Sequence, residues 1–148
     1  MNPLLTRIAS VALVAASTSL AGCMTAPADL DLAREKPSEA GRYRVAIAAP
    51  TPAPAINQLH TWTVTLTDAQ GHPVHGAHFS VAGGMPQHGH GYPTQPRVTR
   101  ELADGRYLLE GMKFSMSGWW DLRLGIEAAP GADQVRFDLV VEPPVAGR

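Results

Sequence analysis

A chain of 148 residues, 45% hydrophobic and 17% charged, holds one ordinary core and excludes a large multidomain enzyme. Its 12 Lys and Arg against 13 Asp and Glu leave a formal net charge of -1, so no basic excess marks a nucleic-acid footprint. The single cysteine excludes an internal disulfide and a multi-cysteine zinc site.

Residues 1–22 read as an address, not as fold. Arg7 supplies a positive start, and an uncharged run follows from Ile8 to Leu20. That run is shorter than the roughly 20 residues a membrane span needs. It ends in Leu20-Ala21-Gly22-Cys23, which resembles the lipobox of bacterial lipoproteins. The resemblance implies cleavage before Cys23 and lipid attachment to its sulfur, hence a membrane partner through that anchor. Met24, in place of Asp, implies sorting to the outer membrane, with the domain facing the periplasm. Residues 23–41 then read as a lipidated cysteine and a flexible tether rich in Ala, Pro, Asp, Glu and Ser.

From residue 42 onward, short strands follow one another. Tyr43, Val45 and Ile47 alternate with polar or small residues. Trp62, Val64 and Leu66 alternate strictly with threonines at 61, 63, 65 and 67. The segment 68–71 makes a turn. Ala77, Phe79 and Val81 mark a strand, Val98 and Leu102 a shorter one, and Asp104-Gly105 a hairpin into Tyr107 and Leu109. Trp120, Leu122, Leu124 and Ile126 alternate next, and Val135, Phe137, Leu139 and Val141 close the domain. About seven strands at near-even spacing predict an all-β, immunoglobulin-like two-sheet sandwich over 42–148, with a small barrel as the alternative.

The chemistry concentrates in Met85-Pro86-Gln87-His88-Gly89-His90-Gly91. It lies in a Gly-rich connection, 83–96, that strand alternation does not explain. His88 and His90 project to one side of an extended segment, where two imidazoles can share a metal ion. Met85 offers a thioether if Pro86 turns the chain back. Met116 is a second sulfur candidate, with Met112 on the same parity and more suited to the core. Imidazole and thioether without thiolate suit copper; zinc would want cysteine or further His or carboxylate ligands. His72 reads as a solvated turn residue, His60 as a strand cap, and His75 and His78 as facing opposite sides. Trp120 has core parity. Trp119 falls on the wet face, as an edge contact, a partner surface or a wall of the site. No nucleophile or acid–base constellation is legible, so the chain is not expected to be an enzyme.

These pieces resemble the YtkA-like, FixH-type family of small periplasmic β-sandwich domains. The resemblance runs through Gly71-His72-Pro73-Val74, Met85 to Gly91, Pro96-Arg97-Val98, Asp104-Gly105-Arg106-Tyr107, Glu110 to Phe114 and Met116-Ser117-Gly118-Trp119-Trp120. It implies a copper-handling role with His88, His90, Met85 and Met116 as ligands, and a copper-handling or oxidase-assembly partner in the envelope. Where the family pattern carries His and Pro beside the methionine, this chain carries Ser115 and Ser117. A non-catalytic module docking onto an oxidase or efflux component is the alternative.

Overall fold

The computed structural model describes residues 26–143. The leader, Cys23 and Met24 lie outside the described residues. The strands are β1 (Glu35–Pro37), β2 (Tyr43–Ala48), β3 (His60–Asp68), β4 (His78–Met85), β5 (His90–Gly91), β6 (Arg97–Glu101), β7 (Arg106–Met112), β8 (Gly118–Glu127) and β9 (Asp133–Val141). Two antiparallel sheets result, one ordered β1-β2-β3-β7-β6 and the other β5-β4-β8-β9. The sandwich expected from the alternation is therefore the fold. Its seven longer strands are those of the sequence pattern, and β1 and β5 are two short additions at sheet edges.

The alternation sets which side chains meet. Tyr43, Val45 and Ile47, then Trp62, Val64 and Leu66, and Tyr107 and Leu109 form one inner layer. Trp120, Leu122, Leu124 and Ile126, with Val135, Phe137 and Leu139, form the other. Side chains of even parity on β8 face odd parity on β9 across the register, so both strands turn one apolar face inward. β1 falls inside the stretch read as a tether: Glu35, Lys36 and Pro37 pair with Ala46, Val45 and Arg44.

The turn after β1 is fastened to β9 by Asp133. Its carboxylate accepts from Ser38 Oγ at 2.6 Å and from the N–H groups of Ala40, Arg42 and Gln134 at 3.0, 3.2 and 2.8 Å. Burial alone would raise its pKa, but these hydrogen bonds, led by Ser38, outweigh it and hold the carboxyl at about 2, below its ordinary 3.8. A depressed pKa gives stability that is complete above the unfolded value and is lost as pH falls toward the folded one. Asp133→Ala should therefore cost about 1–2 kcal/mol at pH 7. The difference from wild type should shrink between about pH 4 and pH 2. Urea unfolding across that range checks both, and a pH-independent difference would contradict the assignment.

The chain places its connections at two ends. Segments 49–59, 86–96 and 113–117 lie at one end, called here the hairpin end; segments 38–42, 69–77, 102–105 and 128–132 lie at the other.

Candidate metal centre at the hairpin end

The Gly-rich stretch after Val81 is not a loose connection. β4 continues through Gly83 and Gly84 to Met85, then reverses over four residues into β5. The N–H groups of His88 and Gly89 both donate to the Met85 carbonyl at 3.0 Å. Gly89 closes the turn at φ +67, where a side chain is disfavoured. The alternation fails here because glycines replace side chains: a β carbon on Gly83 would stand 2.2 Å from the Asp121 carbonyl oxygen, and one on Gly84 2.1 Å from that of His90.

The register opposes Met85 to His90, and opposed residues share a face. Met85 keeps the inward parity of Phe79 and Val81 and is only 2% exposed, so it is a buried strand residue and not a loop methionine. His90 stands on the same side at the open rim and is exposed, as is His88 in the turn. Their ring centroids are 5.8 Å apart with an interplanar angle of 40°. Imidazole nitrogens bind metals at about 2.0–2.1 Å, so rings at this separation can share one ion. His90 Nδ1 lies 3.0 Å from the Gly91 carbonyl oxygen. A carbonyl only accepts, so Nδ1 carries the proton of the neutral ring and Nε2 presents a lone pair.

Met116 lies in the 113–117 connection and is 40% exposed. Its carbonyl accepts from Trp120 Nε1 at 3.1 Å, and Trp120 packs edge-on to His90 with centroids 5.9 Å apart. This contact places the Met116 backbone, not its sulfur, beside the ring that packs on His90. Met112 is fully buried at the end of β7, where a register shift between the Trp62–Leu109 and His60–Met112 pairs turns it inward against the odd parity of Tyr107 and Leu109. Among the described residues, no group of three or more His, Cys, Asp or Glu side chains is placed to hold a metal ion. An ion at this end would depend on thioethers as well as imidazoles.

Of the remaining histidines, His72 is the solvated turn residue expected and His60 departs from its reading. His72 pairs with Asp68 at 3.1 Å and His75 with Glu101 at 2.7 Å, both in exposed turns at the far end. His78 is exposed opposite Glu127. His60 is not a simple cap: it faces inward, accepts from Trp62 Nε1 on its Nδ1 at 2.8 Å, and leaves a buried Nε2 with no partner among the described residues. Burial lowers its pKa. Its ring begins an aromatic row: His60 to Phe114 at 5.1 Å, Phe114 to Trp120 at 5.2 Å, Trp120 to His90 at 5.9 Å.

Sequence reasoning also missed Tyr92 and Asp121. Tyr92 stacks on Trp120 at 5.5 Å and 19°, and its hydroxyl donates to the Asp121 carbonyl at 2.8 Å. Burial drives its pKa well above the ordinary tyrosine value. The Asp121 carboxylate accepts from the Gly84 N–H at 2.9 Å and lies 3.3 and 3.4 Å from Arg123 Nε and Arg136 Nε. Trp119 resolves as an outer-face residue, away from the imidazoles. Arg136 covers it at 5.7 Å, and its Nε1 donates to Asp138 at 3.0 Å.

Among curated proteins and solved structures, nothing matches this chain. The model of the YtkA-like family matches residues 37–125, from the end of β1 to within β8, and so includes the hairpin, Tyr92, Met116 and Trp120. The chain belongs to the YtkA-like family.

Proposed function

We propose that this protein is a lipid-anchored protein of the bacterial envelope that holds a copper ion and passes it on without catalysing a reaction. His88 and His90 are the imidazole ligands, and Met85 and Met116 the thioether donors. Cys23 is the lipid attachment point. The observation that carries this reading is the imidazole pair at 5.8 Å, with His90 turned to offer Nε2 and a methionine directly opposite it. Thioethers favour Cu(I), and imidazole accepts both oxidation states, so Cu(I) is the better match. Zinc would lack the thiolate or carboxylate ligands it normally takes.

Competition titration of the chain from Met24 onward with Cu(I), under anaerobic conditions, and with Cu(II) tests the reading. One equivalent of Cu(I) should bind, and His88→Ala/His90→Ala should weaken it at least about 100-fold, since even loss of outer partners costs 10–100-fold. Equal affinity in the double variant would remove the site. The docking-module reading would then stand in its place.

A further inference from the structure

The two ends of the sandwich differ in kind. The connections of the hairpin end, 49–59, 86–96 and 113–117, contain no Asp or Glu and one lysine, Lys113. The far end carries Glu39, Asp68, Glu101, Asp104, Glu127 and Asp133 at or beside its turns. The large hydrophobic residues left exposed among the described residues are Leu32, Leu59 and Met116. Leu59 immediately precedes β3 and is 69% exposed; Met116 lies in the 113–117 connection, so both sit at the hairpin end. A mainly apolar cavity of about 470 Å³, walled by Ile56, Trp62, Phe114 and Val141 with Arg34 and Glu142 also in its lining, lies at the same end.

The path of the chain points the same way. β1 runs antiparallel to β2, with the Ile47 N–H bonded to the Arg34 carbonyl, so the chain enters β1 from the hairpin end. Pro27, Asp29 and Leu30 share a depression with Trp119, Arg136 and Asp138 on the outer face of β8 and β9. Trp119 is the second residue of β8, counted from the hairpin end. Cys23 is four residues before Pro27, a reach of at most about 14 Å. An anchor that short does not allow the domain to hang freely from a long leash.

We propose that the hairpin end docks on the lipid surface, with Leu59 and Met116 entering the headgroup layer and the carboxylate-bearing end turned away from it. The proposal rests on lipidation of Cys23, as stated above. The occupant is the bilayer for two reasons. The anchor delivers it within reach of this end, and its three connections carry no carboxylate; among the flanking carboxylates, Asp31 and Glu35 are paired with Lys36 and Arg44, and Glu142 stands at the rim of the cavity. The copper ligands are then presented along the membrane plane, and the ion's donor and acceptor are met there.

The test is hydrogen–deuterium exchange of the full lipoprotein, extracted from membranes and reconstituted in phosphatidylethanolamine/phosphatidylglycerol liposomes. The reference is the unanchored Cys23→Ala chain in solution. Exchange should slow several-fold at 56–60, 86–90 and 113–117, and stay unchanged at 69–76 and 102–105. Leu59→Asp, at an exposed position, should reduce the protection without altering exchange in the strands. The mass of the N-terminal peptide separates the two ways of failing. An acylated Cys23 with protection absent or at the far end overturns the docking alone. An unmodified Cys23 overturns the lipidation reading and the docking with it. Protection found in native membranes but not on liposomes assigns the surface to a protein partner and overturns the lipid assignment.

Discussion

Gly84→Ala should detach β5 and scatter the imidazole pair while leaving most of the sandwich folded. The added methyl would lie 2.1 Å from the His90 carbonyl oxygen and 2.6 Å from the Gly91 Cα. Both are backbone atoms, so no rotamer change relieves the overlap, and the two strands must part. Forcing atoms into such a place typically costs about 1–3 kcal/mol. Only Gly84 and Met85 pair with β5, so the damage stays at the rim. Gly83→Ala should behave differently. Its methyl would stand 2.2 Å from the Asp121 carbonyl oxygen, between β4 and β8, which pair from His78–Glu127 to Gly84–Asp121. That variant should lose at least as much global stability as Gly84→Ala, and urea unfolding measures it. For Gly84→Ala the sharper readout is amide exchange at 88–91, together with copper affinity. Wild-type values of both would show that the β4–β5 pairing does not position His90.

The second large effect separates the two duties of Met85. As a core residue it fills space under Gly118, its Cε 3.1 Å from where a β carbon there would be. As a ligand it would contribute sulfur. Met85→Ala should cost about 2–5 kcal/mol of stability through the cavity it leaves. Met85→Leu keeps the volume and should cost under about 1.5 kcal/mol. If the thioether binds the ion, Met85→Leu should still weaken Cu(I) by about tenfold or more, equivalent to at least about 1.4 kcal/mol. Cu(II) should respond much less, because its affinity leans on the imidazoles. Unchanged Cu(I) affinity in the folded Met85→Leu protein would return this methionine to the core alone.

The parts of the fold that were legible in the sequence are those where side chains alternate. Trp62, Val64 and Leu66 against threonine leave one solution, and the same holds for Trp120 to Ile126. The hairpin was not legible because its strand is written in glycines. Gly83 and Gly84 contribute no side chain to a period-2 pattern, so an ordered strand end read as an open loop. His60 was within reach, since it shares the parity of Trp62 and Val64 and parity places it inward. Reading it as a cap overlooked that. Asp121 and Trp119 depend on register. Their partners Gly84, Arg136 and Asp138 sit on neighbouring strands, and a single chain does not state which residues will stand opposite. The imidazole pair itself was visible as spacing, but the feature that orients His90, the Gly91 carbonyl on Nδ1, is a backbone contact with no mark in the sequence.

The unequal covering of the two methionines has a chemical outcome of its own. Oxidants convert a thioether to a sulfoxide, which is polar and a poorer soft donor, and they reach exposed sulfur first. Met116 at 40% exposure stands open to peroxide, whereas Met85 at 2% is sheltered by the packing that surrounds it. Oxidative stress would therefore disarm the proposed donor set from the outside inward, sparing the interior sulfur and the fold it supports, and methionine sulfoxide reductases would restore the outer one.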